Sequence, residues 1–273
     1  MGVAKNLVLG GSGTIGAALC RHLEAKGEQV VNLDLKTGFD LRHRSLDDYS
    51  GSDFVWFLAW EVGGAKYLAN PAHQYKILSD NTLICSNVFS FLERTRIPFL
   101  FTSSQLAAPD NTYGITKLLG ESYTSNLGGT NVRFWNVYGW EEPGEKSHVI
   151  TDIILQALAH KKISLLTNGK EERQFIYMDD CVKNMYGLRQ AGGKNFHMTN
   201  GHWMSIGQLA QKAADLLGAE VLSGTVQGYQ NKIDPDESYR AFRWDTGIEE
   251  GIRLVARQAE AYIKKTNHAV RTP

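Results

Sequence analysis

Apolar positions in the first half of the chain follow two rhythms that alternate. Short unbroken runs read as strands covered on both faces: Asn6 to Gly10, Gln29 to Asp34, Asp53 to Leu58, Ile97 to Thr102 and Thr130 to Trp135. Between them the spacing turns helical. Thr14 to Lys26 places Ile15, Leu19 and Leu23 on one face, and Gly27 stops it. Asn70-Pro71 supplies a cap and first turn for a helix to about Arg94, and Asn111 or Thr112 caps another to about Asn126. Strict alternation with right-handed crossovers predicts an α/β protein: a doubly wound parallel sheet, the Rossmann architecture.

Past Tyr138 the rhythm loosens. His148 to Lys161 reads as a helix, Phe175 to Met178 as extended, and Asp179 to Gln190 as a helix. Ser205-Ile206-Gly207-Gln208 is a capping box opening a helix to about Leu217. Gly224 to Ser238 is a polar loop, and Gly247 to Lys264 a final amphipathic helix. The expected organisation is a dinucleotide-binding domain over residues 1–137. Residues 138–273 form a small carboxyl-terminal substrate-binding subdomain, with about 170–200 returning to the first domain.

Charge narrows the classes of function. The chain of 273 residues carries 29 basic and 29 acidic side chains, so it lacks the basic footprint of a nucleic-acid binder. Cys20, Cys85 and Cys181 lie far apart, with neither disulfide-framework nor metal-type spacing, and no metal is expected. No run approaches the roughly 20 apolar residues of a membrane span. The opening residues lack the apolar core of a signal peptide. A cytoplasmic protein with no membrane partner is expected.

The glycine-rich turn Gly10-Gly11-Ser12-Gly13-Thr14-Ile15-Gly16 joins the first strand to the first helix. Glycine there permits a tight turn, close backbone approach to a pyrophosphate and close helix-to-sheet packing. The helix start adds free N–H groups and a positive dipole end. Asp34 ends the second strand 18 positions after Gly16. A carboxylate there accepts hydrogen bonds from ribose hydroxyls and repels a 2′-phosphate, which favours NAD over NADP. Lys36, two residues on, softens that preference.

Tyr113-Gly114-Ile115-Thr116-Lys117 places a phenol and an ammonium one helical turn apart, just after the strand that ends in Thr102-Ser103-Ser104. A free phenol titrates near pH 10, too high for a base at neutral pH, and a nearby cation favours the phenolate. Such a phenol exchanges a proton with a sugar hydroxyl while hydride moves to the cofactor. Ser104, at the carboxyl end of its strand, faces the crevice where ligands bind in such sheets. A Ser-Ser pair after a strand also serves as a turn or cap.

These residues resemble the extended short-chain dehydrogenase/reductase superfamily, in its NAD-dependent epimerase/dehydratase branch, from Gly10 to about Asp180. The resemblance implies NAD held by Gly10, Gly13, Thr14, Ile15, Gly16 and Asp34, with Asp40-Leu41 at the adenine and Leu58-Ala59 beside the cofactor. It adds Asn81 on the long helix, and Tyr113 and Lys117, to the cofactor contacts. Ser104, Tyr113 and Lys117 become the catalytic set. Arg133 to Gly139 resembles an Arg-x-x-Asn-Val-Tyr-Gly segment, whose Asn136 implies a contact to a nucleotide-sugar. Arg173 opens a segment whose arginine binds the substrate diphosphate, a task suited to a planar donor fork. His148 lies in a region similar to the histidine region of fucose synthase-like relatives, which implies a proton donor or a further substrate contact, the alternative being an ordinary histidine at a helix start. A homodimer through a four-helix contact, using the helices before Arg94 and after Thr112, is also implied.

The chain departs from the family pattern in places that bear on the reaction. Dehydrating relatives carry an Asp-Glu pair where this chain has Gln105 and Leu106, which disfavours a 4,6-dehydratase. Leu106 also replaces the cysteine of the fucose synthase-like epimerases. Only eight residues, Gln105 to Thr112, separate Ser104 from Tyr113, a shorter pocket-shaping loop than is usual. The expectation is a 4-epimerase acting on a UDP-, GDP- or dTDP-linked sugar through a transient 4-keto sugar. The alternatives are an NAD(P)H-dependent 4-keto-nucleotide-sugar reductase and a non-catalytic NAD-binding regulatory protein.

Overall fold

A computed structural model describes residues 3–230 and 244–269; residues 231–238 of the expected polar loop lie outside the described residues. In chain order the first half contains β1 (Lys5–Leu9), α1 (Thr14–Ala25), β2 (Gln29–Leu33), β3 (Phe54–Phe57), α2 (Ala65–Ala69), α3 (Gln74–Thr95), β4 (Phe99–Ser104), α4 (Thr112–Asn126) and β5 (Thr130–Phe134). There follow β6 (Asn136–Tyr138), α5 (Val149–His160), β7 (Lys162–Ser164), β8 (Glu172–Tyr177), α6 (Met178–Gly187) and β9 (Asn195–Met198). The chain continues with β10 (Trp203–Ser205), α7 (Ile206–Leu217), β11 (Glu220–Leu222) and α8 (Ile248–Ala269).

The central sheet has six parallel strands in the order β2-β1-β3-β4-β5-β9. β3 and β4 are buried along their whole length, because helices cover both faces. One face packs Leu7, Leu9, Phe57 and Phe101 against Val88, Phe89 and Leu92 of α3. The other packs Val8, Trp56 and Leu100 against Leu19 and Leu23 of α1 and Val182 and Met185 of α6. β1 lies between β2 and β3, so the connections from these strands run in opposite directions and open a crevice at the carboxyl ends.

The fourth strand sits later than its apolar run predicts. Pro98 has no N–H to give a ladder, so pairing begins at Phe99, and it continues through Ser103 and Ser104, which align with Arg133 and Phe134. That extension carries Ser104 to the sheet's carboxyl edge. Several caps form as the residue types dictate. The Asn111 side chain accepts from the Gly114 N–H, and Ser205 and Gln208 close a reciprocal box at the start of α7. Asn70 caps a single 3₁₀ turn, Pro71–His73, which leads into α3.

The later elements build a second cluster. α5, α7 and α8 bury Ile153, Ile154, Leu209, Ala213, Ile252 and Val255 against Phe175 and Tyr177 of β8. A small sheet, β10-β8-β6, and a pair, β11-β7, border it. β9 and α6 pack on the first half instead: β9 pairs with β5, and α6 lies on α1. Buried Asp180 of α6 accepts from the N–H groups of Asp245 and Thr246, tying the approach to α8 back to the central sheet. Among the described residues no helix is long and apolar enough to cross a membrane.

Candidate active site

The turn after β1 is closed by glycine at two positions. Gly10 has a φ of 89°, and a Cβ there would lie 2.6 Å from the Ala59 nitrogen. A Cβ on Gly16 would lie 2.1 Å from the Gly10 carbonyl oxygen, inside any permitted contact. Gly13 differs: the nearest atom to its Cβ would be 3.4 Å away, so open space lies above the turn. Gly13 caps α1 without a side-chain acceptor, and the first turn, which holds Thr14 and Ile15, carries no acidic residue. The helix therefore presents its positive end without local compensation, which suits a pyrophosphate.

Asp34 closes this cradle. One carboxylate oxygen accepts from the Ser12 N–H at 3.0 Å, and the other from the Lys36 N–H at 2.8 Å. An ionised carboxylate offers about four acceptor positions, so both oxygens retain capacity for ribose hydroxyls. Leu58 and Ala59 donate their N–H groups to Leu9 at 2.9 and 2.8 Å and form the back of the turn. Asp40 is held by a two-pronged bond to Arg42, 2.9 and 2.7 Å, which keeps its carboxyl at about 2. Leu41 is buried in the core. Asn81, fully buried, accepts from the Glu61 N–H at 2.7 Å and donates to the Glu61 carbonyl at 3.1 Å, which pins the loop after β3.

The Asn111 cap sets the start of α4, so Tyr113 falls in its first turn and Lys117 one turn later. Gly114 lies between them, and a Cβ there would sit 2.4 Å from the Leu106 and Ala108 carbonyl oxygens. The short loop thus packs directly beneath the helix start. The Ser104 hydroxyl accepts from the Leu106 N–H at 3.1 Å and lies near enough to the Tyr113 phenol to pull its pKa down. Ser104, Tyr113 and Lys117 are all buried and adjacent. The Lys117 amine donates to the Thr102 carbonyl at 2.6 Å and stands 5.8 Å from the Tyr113 ring centre.

Burial dominates the electrostatics here. It raises the Tyr113 phenol above its ordinary value, while Ser104 pulls the other way. It lowers the Lys117 amine to about 7, with Cys85 and Glu121 opposing. Free of ligand, the site therefore stores no preformed phenolate: desolvation sets the direction for Tyr113, and the influence opposing it is Ser104 rather than the lysine. The sign for stability follows. Unfolded, Lys117 keeps its proton up to about 10.5, but folded only up to about 7, so its destabilising contribution is full below pH 7 and fades towards pH 10.5. Lys117→Met is expected to raise the melting temperature of the ligand-free protein at pH 6, by a difference that closes by pH 10. Parallel melting curves for the two proteins across that range would contradict this.

Two features around the set carry no motif in the reading of the sequence. Glu121 lies one turn beyond Lys117; it receives both prongs of Arg133 at 2.6 Å and the Ser103 hydroxyl at 2.5 Å. Its position four residues after the lysine is the signal that was available. Trp60, next to Ala59, covers the Lys117 amine.

The residues expected on the substrate side lie on neighbouring elements. Asn136 of β6 donates to the Gln174 carbonyl of β8 at 3.0 Å, beside Arg173. Among the described residues Arg173 donates to two backbone carbonyls, those of Glu172 and Tyr229, both at 2.8 Å, and has no carboxylate partner. His148 caps α5; its Nδ1 lies 2.9 Å from Glu141, which also accepts the His148 N–H at 2.6 Å. Desolvation pulls the imidazole down, but the Glu141 carboxylate outweighs it and the pKa is raised. The His148 loop is fixed to the loop after β3: Gly64 donates to the Lys146 carbonyl at 3.0 Å and Lys146 to Glu61 at 2.5 Å. Among the described residues no cluster of three or more His, Cys, Asp or Glu is placed to hold a metal ion.

Sheet order, glycine cradle and buried tyrosine–lysine pair define a doubly wound dinucleotide-binding α/β protein. Residues 6–200 match the family model described as the NAD dependent epimerase/dehydratase family, and the chain belongs to that family. NAD is the cofactor of the family, and the cradle just described fits it. The chain is 28% identical over 229 residues to the UDP-2-acetamido-2,6-beta-L-arabino-hexul-4-ose reductase of Pseudomonas aeruginosa, an alignment covering 76% of this chain and 56% of that protein. The chain thus spans little more than half the length of that relative. Its fold is similar to that of TunA, an NAD-dependent NDP-hexosamine 5,6-dehydratase involved in tunicamycin biosynthesis (TM-score 0.81, 21% identity, 94% of this chain and 98% of that one). It is similar too to the UDP-glucose 4-epimerase of Thermus thermophilus in complex with NAD (TM-score 0.76, 19% identity, 94% and 99%).

Proposed function

We propose that the chain epimerises a nucleotide-sugar at the sugar 4-hydroxyl. The observation that carries this reading is the contact of Ser104 with the Tyr113 phenol beside Lys117, at the carboxyl edge of the sheet whose glycine turn suits NAD. When bound, NAD accepts hydride from the sugar carbon and returns it. The Ser104 hydroxyl orients the 4-hydroxyl. Tyr113 takes the hydroxyl proton as the 4-keto sugar forms, and gives it back after the sugar has turned over. Lys117 sets the charge beside the phenol. Arg173, with no carboxylate partner among the described residues, holds the diphosphate, and Asn136 contacts the nucleotide-sugar beside it. Residues 1–137 serve the cofactor and 138–273 the substrate, while β9 and α6 return to the central sheet. Gln105 and Leu106 leave no acid–base pair for dehydration.

One observation favours a second reading, reduction of a 4-keto nucleotide-sugar. The His148–Glu141 pair holds an imidazole with a raised pKa, suited to donate a proton, and the Pseudomonas relative is named as a hexul-4-ose reductase. Releasing the cofactor from purified protein by denaturation separates the two. An epimerase regenerates NAD and retains it, so about one NAD per chain is expected; an empty site would favour the reductase.

The proposed protein is a homodimer. Tyr75, Leu78 and Leu83 on α3 are exposed, as are Ile115, Leu119 and Tyr123 at four-residue intervals on α4. Such a stripe across two adjacent helices fits a second copy related by a two-fold axis. Sedimentation is expected to give a dimer, and Leu119→Glu a monomer that still melts cooperatively. A wild-type monomer at micromolar concentration would refute this.

A further inference from the structure

The Lys117 amine is almost wholly enclosed, yet among the described residues it has a single hydrogen-bond acceptor, the Thr102 carbonyl at 2.6 Å. An ammonium group carries three donors, and a buried one lacking partners is costly. Aromatic faces surround the remainder. Its nearest ring is Trp60, 4.3 Å from nitrogen to centroid, ahead of Phe101 at 4.9 Å and Tyr113 at 5.8 Å. The indole is not loose. Its N–H donates to the Thr116 hydroxyl at 3.2 Å, and that hydroxyl donates to the Tyr113 carbonyl at 2.8 Å. Asn81 donates to the same hydroxyl at 3.4 Å, and the indole packs against Phe57 and Phe101.

We propose that Trp60 is a positioning residue for Lys117: its indole face seats the ammonium group against the Thr102 carbonyl, and its N–H fixes that seat to α4. The proposal rests on the placing of Lys117 in the proton-handling set. A cation over a desolvated indole is held by the ring's negative face, and tryptophan provides the strongest such face. The loop after β3, which backs the cofactor turn, thereby holds the lysine in register with Tyr113. The titratable groups facing the amine are the Tyr113 phenol and the Glu121 carboxylate on α4 and the Cys85 thiol on α3. Glu121 is already engaged by Arg133 and Ser103, and Glu61, the neighbour of Trp60, is engaged by Tyr67, Lys76 and Lys146. None of these takes the place of the indole.

The test titrates Lys117 in the ligand-free protein by NMR of ¹³C-labelled lysine, the signal assigned by its loss in Lys117→Met. Trp60→Leu keeps apolar cover but removes the aromatic face; Trp60→Phe keeps a smaller aromatic face and removes the indole N–H. Proton binding by Lys117 is expected to weaken about tenfold in Trp60→Leu, a shift of about one pH unit downward. In Trp60→Phe it is expected to stay within about half a unit of wild type. A structural role alone would lower the melting temperature of Trp60→Leu and leave the Lys117 titration in place, and that result overturns the proposal. Equal shifts in the two variants overturn it as well. No sugar is present in this experiment, so failure to find a nucleotide-sugar substrate would leave its outcome untouched.

Discussion

Tyr113→Phe is expected to lower turnover by roughly 10²–10⁴-fold while leaving NAD affinity within about twofold of wild type. The substitution deletes one oxygen and little else. The ring stays packed with Tyr67 and Ile77, so α4 keeps its start and Lys117 its position. What goes is the group proposed to exchange the proton of the sugar hydroxyl beside Ser104. Wild-type-like turnover in steady-state kinetics, with NAD binding followed by tryptophan fluorescence, would remove Tyr113 from the mechanism. A parallel loss of turnover and NAD affinity would show instead that the phenol supports the fold of the site.

Gly16→Ala is expected to weaken NAD binding by about 100-fold or more, because one methyl group cannot be placed without moving backbone. Its Cβ would lie 2.1 Å from the Gly10 carbonyl oxygen and 2.8 Å from the Gly11 Cα. Gly10 cannot retreat: Ala59 stands behind it and its own N–H is bonded to the Leu33 carbonyl at 2.8 Å. The turn must therefore open or α1 must shift, and either change takes the helix start away from the pyrophosphate. Isothermal titration of NAD into the variant checks this, with thermal melting to show that the sheet persists. Gly13→Ala is the internal comparison. Its Cβ meets only the Gly10 carbonyl at 3.4 Å, so any loss there reports crowding of the ligand rather than of the protein.

These two expectations also show how far the chain's residues disclose its structure. The glycine turn, Asp34 and the Tyr-x-x-x-Lys pair are local patterns whose geometry follows from strand-to-helix and one-turn spacing. The central strands were readable because burial on both faces makes them continuously apolar. β7, β10 and β11 are three residues each and only partly buried, so no period distinguishes them from loop. Ser104 at the carboxyl end of its strand was readable from the motif, whereas its alignment with Phe134 is set by pairing with β5 and is not. The seat of Lys117 on Trp60 joins positions far apart in sequence, and nothing local marks it. The tuning of Tyr113 was the least legible. An ammonium nearby argues for a lowered phenol, whereas burial of both groups raises the phenol and lowers the amine.

The central claim is hydride removal and return at a sugar carbon, with Tyr113 moving the proton. Its most direct test uses UDP-, GDP- and dTDP-hexoses carrying deuterium at C4, incubated singly with the purified protein and NAD in ordinary water. For one of them the 4-epimer is expected to accumulate with its deuterium retained at C4, since hydride leaves and returns without meeting solvent. Accumulation of the epimer with the deuterium replaced by solvent hydrogen, or no epimer from any member of the set, would contradict it.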